Sequence, residues 1–348
     1  MVNLLFVKDT EPPISYTRSS ALLFFIPADY NGSMKNKTKK RILLASLGAL
    51  AAGCAILNEK VYRFIFERDA KPLSFKDEQM PNPYFKRIEQ FKKQKLEALE
   101  DLDQQPLHRC SASGRHLHAT LFPAPVPSKR YVLCAHGYRT DGFHEFCAFV
   151  PFYLEQGFNV ILLDHQAHGA SDGHTITFGL EETEDTLDWI HWIVEHFGDE
   201  CAIVLHGMSM GAAIVMSLAA TAPDNVKFIV EDCGYASAKT EFEHTLGMAH
   251  LSKALYPWIA ALFFTHEHAS LSTIQPIEEV AYAKVPMLFI HGMKDTLVPF
   301  SMAERLYAAC PQPKDQLFVP LADHAQSYYL DPKNYERKIK QFIQKYMS

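Results

Sequence analysis

Leu205-His206-Gly207-Met208-Ser209-Met210-Gly211 contains the pattern G-x-S-x-G, and its flanks decide how it is read. Before it, Cys201-Ala202-Ile203-Val204-Leu205 is a short apolar, β-branched run with the character of a buried strand. After it, residues 212–220 are Ala-rich and apolar and suit a buried helix. A serine at a sharp strand-to-helix turn is a nucleophile elbow. Gly207 and Gly211 leave room where side chains would collide, so the Ser209 hydroxyl can stand exposed. The helix that starts there aims its positive end at charge developing near Ser209.

A length of 348 residues is enough for one large α/β domain plus extra segments. A hydrophobic content of 48% with 21% charged residues is ordinary for a globular chain. The net charge of −6 lacks the basic face that nucleic-acid binding needs, so no nucleic-acid partner is expected. The seven cysteines (54, 110, 134, 147, 201, 233 and 310) form no C-x-x-C pair and no metal-ligand spacing. Their odd number rules out full pairing, and no disulfide framework, metal or cofactor is expected. The sequence leaves the oligomeric state open.

Residues 1–33 are an N-terminal extension of uncertain role, with Met34 a candidate start. A basic cluster at 34–41 (Lys35, Lys37, Lys39, Lys40, Arg41) precedes about sixteen uncharged, mostly apolar residues at 42–57. Residues 34–66 therefore read as a signal-anchor. The apolar run is slightly short for a spanning helix. Its basic flank places the N-terminal side in the cytosol and the large domain outside, as a single-pass membrane protein. Ala51-Ala52-Gly53-Cys54 leaves a lipoprotein anchored through Cys54 as an alternative, and a buried helix of a cytoplasmic protein as another. Residues 67–107 read as an amphipathic helical linker, with Phe85, Ile88, Phe91, Leu96, Leu99 and Leu102 at helical spacing.

From 108 to 348 strand-like and helix-like runs alternate, predicting an α/β domain with a mostly parallel sheet. His116–Phe122 looks like an edge strand. The next strand, 131–135, ends in His136-Gly137-Tyr138, where the backbone N–H of Tyr138 would act as one oxyanion donor beside the N–H of Met210. His136 itself, and His165 and His168 in the loop after strand 158–163, read as structural residues and not as metal ligands. Residues 235–283 interrupt the alternation and read as a helical cap between the strands ending near Asp232 and His291. Its aromatic part, with Trp258, Phe263 and Phe264, is a candidate pocket lining suited to an acyl or aryl group.

Asp295 follows the strand 285–292, and His324 follows the strand 316–319. Ligands and catalytic groups gather at that end of an open parallel sheet. Serine hydroxyl is a weak nucleophile at neutral pH, so His324 would take its proton and Asp295 would hold the imidazole. Asp232, at the end of strand 226–232, is a rival for the acid.

The order Ser209, Asp295, His324, together with H-G-Y at 136–138, G-M-S-M-G at 207–211, H-G-M-K-D at 291–295 and A-D-H at 322–324, resembles the α/β-hydrolase superfamily over about residues 115–346. Asp164 to Gly173, Thr177-Phe178-Gly179 with Glu181 and Trp189, and Asp232-Cys233-Gly234-Tyr235 resemble the membrane-tethered serine hydrolases of Gram-positive bacteria. Those usually carry arginine where Gln166 stands. The resemblance implies an α/β-hydrolase fold and a serine hydrolase cleaving a small acyl ester through an acyl-enzyme, anchored by its N-terminal apolar segment. A serine peptidase acting on short peptides, an acyltransferase or thioesterase, and a non-catalytic binding domain on the same scaffold are the alternatives.

Overall fold

The structure is a computed structural model that describes residues 36–68 and 84–347. The expectations for residues 1–33, for Met34 and for 69–83 lie outside the described residues. The chain divides into two units, Met1–Ile56 and Leu57–Ser348. Helix α1 (Asn36–Phe66) begins in the first, where Leu43, Leu44, Leu47 and Leu50 are exposed. The stretch Leu43–Phe66 is long and apolar enough to cross a membrane. In the second unit the last turns of α1 behave differently: Tyr62 and Phe66 are buried in the core. Those two side chains therefore do not face lipid. Helix α2 (Phe85–Glu100) buries Ile88 and Leu99 and sets the Phe91 ring edge-on to Tyr329. Its remaining faces are charged, as its amphipathic spacing requires.

Eight strands form one sheet: β1 (Gln105–Cys110), β2 (His116–Phe122), β3 (Arg130–Ala135), β4 (Asn159–Asp164), β5 (Ala202–Met208), β6 (Val226–Asp232), β7 (Met287–Gly292) and β8 (Lys314–Val319). Their order is β1-β2-β4-β3-β5-β6-β7-β8. The pairs β1–β2 and β2–β4 are antiparallel, and every pairing from β4 through β3 to β8 is parallel. The expectation that His116–Phe122 is the edge strand is corrected: β2 lies second, hydrogen-bonded on both sides, and the edge is β1. The polar sequence of β1, Gln-Pro-Leu-His-Arg-Cys, hid it. An edge strand with one solvated face lacks the apolar density by which a central strand is recognised.

Alternate residues of the central strands enter opposite cores. Leu133, Ile161, Ile203, Leu205 and Ile229 point to one face. There they meet α5 (Leu180–Phe197), α6 (Met210–Ser217) and the helices between β6 and β7. Val132, Cys134, Val160, Val204 and Val230 point to the other face, against α3 (Gly142–Phe146), α4 (Phe149–Glu155) and the C-terminal helix. Between β6 and β7 lie α7 (Ala238–Met248), α8 (Tyr256–Glu267) and α9 (Pro276–Ala281). Helix α9 packs beside α6, so the excursion beyond the layered fold consists of α7, α8 and the short turns around α8. Helix α10 (Phe300–Ala309) follows β7, and α11 (Ser327–Leu330) and α12 (Pro332–Tyr346) follow β8. The parallel strands bring the loops after β3, β5, β7 and β8 to one edge, the position where this type of sheet places its site.

Candidate active site

Ser209 joins β5 to α6 with φ 56° and ψ −118°. L-residues rarely adopt this backbone, which costs of order 1–3 kcal/mol and persists only when the surroundings enforce it. The Ser209 amide donates to the Asp232 carbonyl at 2.9 Å, and the Ser209 carbonyl accepts from the Ala213 amide at 3.1 Å. Gly207 and Gly211 permit the tight turn. A Cβ on Gly207 would collide with the Gly211 carbonyl, and one on Gly211 with the Ala135 carbonyl at the end of β3. Close packing of three chain segments thus lifts the serine hydroxyl above the sheet.

His324 Nε2 lies 2.9 Å from Ser209 Oγ, and His324 Nδ1 lies 2.8 Å from Asp295 Oδ2. The carboxylate can only accept, so Nδ1 carries the proton and Nε2 is left to accept from the serine hydroxyl. Asp295 is fixed in turn by the amides of Leu297 and Val298, which donate to Oδ1 at 2.9 and 2.8 Å. A second carboxylate, Asp323, ties the two loops together. Its Oδ1 accepts from the amides of His324 (2.8 Å) and Thr296 (2.9 Å). The structure therefore brings Ser209, His324 and Asp295 into one hydrogen-bonded line. Asp232 is placed elsewhere. Its Oδ2 accepts from Tyr335, at the end of a buried chain running Tyr153–His206–Tyr335–Asp232 with links of 3.0 Å.

The loop after β3 lies against the serine: a Cβ on Gly137 would come 3.2 Å from Ser209 Cβ. The amides on either side of Tyr138 are engaged. Gly137 donates to Glu145 Oε2 at 2.8 Å, and Arg139 donates to His168 Nε2 at 3.1 Å. Between them the Tyr138 amide has no partner among the described residues, and neither does the Met210 amide. Pinned neighbours and an open N–H are what an oxyanion donor requires.

A model of the X-Pro dipeptidyl-peptidase (S15) family matches residues 79–273. The chain belongs to the S15 family. The matched stretch carries the elbow and the loop after β3 but ends before Asp295 and His324. Among curated relatives, the uncharacterized protein YqkD of Bacillus subtilis is 28% identical over 230 residues, 63% of this chain and 73% of YqkD. Protein bem46 of Schizosaccharomyces pombe is 25% identical over 167 residues, 47% of this chain and 50% of that one. Among solved structures, the Pyrococcus furiosus esterase Pf2001 superposes with a TM-score of 0.59 at 20% identity, covering 72% of this chain and 94% of the esterase. The α/β-hydrolase GrgF from Penicillium gives a TM-score of 0.57 at 15% identity, covering 71% and 99%. This S15-family chain thus has the α/β-hydrolase fold.

Electrostatics set the state of each group in this S15-family site. Burial pushes the His324 imidazole pKa down, but the Asp295 carboxylate at its Nδ1 outweighs burial and holds it above the ordinary histidine value. Behind the loop after β3, burial lowers His136 to about 3 and His168 to about 4. Both are neutral at pH 7, as their contacts require: His136 Nε2 accepts from the His165 amide at 3.3 Å, and His168 Nε2 accepts from Arg139. Burial raises Glu145 to about 7 and Asp232 to about 7. Cys233, Asp295 and His324 offer donor atoms within 4.8 Å of one another, but both imidazole nitrogens are already engaged.

Among the described residues, the three cap aromatics have these surroundings. Phe263 is fully buried with its ring 5.0 Å from Phe66, Trp258 donates to Asn58 Oδ1 at 3.1 Å, and Phe264 is 56% exposed. Phe178 reaches the loop after β3, stacked on Tyr138 at 5.0 Å, and Phe242 lies edge-on to Phe178 at 4.9 Å. Phe178 comes from the loop before α5, and Phe242 from α7 within the cap segment. A cavity of about 780 Å³ between α2 and residues 319–332 is lined by Phe91, Leu321 and Tyr328 and includes none of Ser209, Asp295 and His324.

Proposed function

We propose that this protein is a serine hydrolase that cleaves a carboxylic ester through an acyl-enzyme, with Ser209 as nucleophile, His324 as general base then acid, and Asp295 as the residue that orients His324. The supporting observation is the continuous line Asp295–His324–Ser209 with links of 2.8 and 2.9 Å. As Ser209 Oγ attacks the acyl carbon, its proton passes to His324 Nε2. The carbonyl oxygen becomes an oxyanion facing the Tyr138 and Met210 amides and the positive end of α6. Collapse expels the alcohol, which takes the proton from His324. Water then repeats the sequence with the same groups and releases the acid. Two such donors stabilise the tetrahedral intermediate by about 3–4 kcal/mol each in the best-measured cases.

The stacked pair Tyr138–Phe178, half-exposed beside the serine, suits an apolar acyl group. The S15 match favours a peptidase as a second reading, because the same groups can expel an amine. Assay of p-nitrophenyl acyl esters of increasing chain length beside aminoacyl p-nitroanilides separates the two. Ester turnover at least ~100-fold above anilide turnover is expected, and the reverse preference overturns the ester assignment. No labelling of Ser209 by a fluorophosphonate in folded protein would overturn the hydrolase reading itself.

The chemistry needs neutral His324. Because its pKa lies above the ordinary value of about 6.5, kcat/KM should climb with pH and reach half its plateau above 6.5. A pH–rate profile with its acid limb centred below 6 would contradict this. The anchor assignment is kept in shorter form. Lys37, Lys40 and Arg41 hold the N-terminal side in the cytosol, and the membrane-embedded part ends before Asn58, whose side chain accepts from Trp258.

A further inference from the structure

Helix α1 ends at Phe66 without a glycine cap, so its last four carbonyls need partners from elsewhere. The Arg63 carbonyl accepts from the Glu67 amide at 3.1 Å, and the Phe66 carbonyl from the Ile176 amide at 2.7 Å. The two between them are taken by side chains of the loop after β3. The Tyr138 hydroxyl donates to the Ile65 carbonyl at 2.7 Å. Arg139 Nη2 donates to the Phe64 carbonyl at 2.8 Å and to the Glu67 carbonyl at 2.9 Å. A guanidinium is well matched to this place, since a helix C-terminus carries the negative end of the dipole and charge-assisted bonds are the strong ones.

Tyr138 carries the amide assigned above to the oxyanion, and Arg139 follows it. Arg139 has φ 53°, a left-handed backbone that a side chain tolerates only when held there. Three contacts hold it: its amide on His168, its guanidinium on the helix end, and the same guanidinium over the Tyr138 ring at 4.7 Å. The helix end is itself fixed. Tyr62 and Phe66 are buried, Tyr62 bonds Thr175 and Glu267, and Asn58 bonds Trp258.

We infer that the C-terminal end of α1 is a positioning element for catalysis: Tyr138 and Arg139 brace against its free carbonyls, and this brace aims the Tyr138 N–H at the oxyanion. The inference rests on the serine-hydrolase reading. It gives residues 58–66 a part in the reaction.

The test uses the full chain in detergent and the double variant Tyr138→Phe/Arg139→Met, which keeps both stems and removes the bonds to the helix. Turnover is normalised to sites titrated with a fluorophosphonate. An oxyanion donor stabilises the transition state more than the bound substrate, so kcat for a p-nitrophenyl ester should fall at least ~10-fold with KM within ~3-fold of wild type. Affinity for an alkyl boronic acid, which forms a tetrahedral adduct on Ser209, should fall in parallel with kcat/KM. Arg139→Lys, which keeps the cation on a shorter side chain, should fall between. If the double variant yields too little folded protein, Tyr138→Phe alone carries the same comparison at smaller amplitude. The inference is overturned if kcat per titrated site stays within ~2-fold of wild type, or if boronate affinity is unchanged while kcat falls. A wild-type chain that neither labels nor turns over ester overturns the hydrolase reading, which the first two outcomes leave standing.

Discussion

Replacing Ser209 with alanine should lower kcat for an ester by about 10⁶, to the level that the oxyanion donors and substrate binding supply without a nucleophile. His324 Nε2, 2.9 Å away, would have no proton to accept and no acyl-enzyme could form. The fold should survive. Ser209 contributes a hydroxyl at a turn, and its strained backbone is enforced by Gly207, Gly211 and the Asp232 carbonyl, which alanine leaves in place. Circular dichroism and the thermal midpoint should therefore match wild type within a few degrees. Ser209→Gly, equally inactive, relieves the φ of 56° and should melt at or above the wild-type temperature. Residual turnover within ~100-fold of wild type in Ser209→Ala, with mass spectrometry excluding contamination by wild type, would remove Ser209 from the mechanism.

How far the sequence was readable follows from what each element has to bury. The central strands β3 to β7 are buried on both faces, so they appear as continuous apolar runs, and the residue ending each run marks the loop edge where Ser209, Asp295 and His324 meet. That logic needs no side-chain geometry. It fails where burial is one-sided. Strand β1 was hidden in a polar stretch, and the sheet's edge was accordingly placed one strand too far in. The end of α1 was read as part of an anchor because Tyr62 and Phe66 are as apolar as a membrane residue. Only the tertiary partners Phe178, Phe242 and Phe263 show that they belong to the domain core. The cap aromatics pose a related problem. Helix α8 carries apolar residues all round, and composition alone does not say which face turns toward the serine. Glu145 was not singled out at all. A lone glutamate in Gly-Phe-His-Glu-Phe looks like a solvated charge until β3 brings the Gly137 amide to it.

Asp295→Asn should lower kcat/KM by about 10⁴ with the protein still folded. Asparagine can present its NH₂ to His324 Nδ1, which then accepts, so the proton moves to Nε2 and the ring donates to Ser209 where it should accept. The base is lost although every heavy atom keeps its place. The amides of Leu297 and Val298 can still be met by the asparagine carbonyl, so the loop geometry at 2.9 and 2.8 Å should persist and stability should change little. The variant has a second signature. Without the carboxylate, burial is less opposed at His324, and the acid limb of the residual activity should move to lower pH than in wild type. Asp232→Asn is the control. That side chain accepts from Tyr335 and makes no hydrogen bond with His324; asparagine keeps an accepting oxygen for Tyr335, so stability should change little and kcat should fall by less than ~10-fold. Should Asp232→Asn abolish turnover while Asp295→Asn retains it, the acid of this site would be Asp232, and the 2.8 Å contact between Asp295 and His324 would be a structural bond without a part in proton transfer.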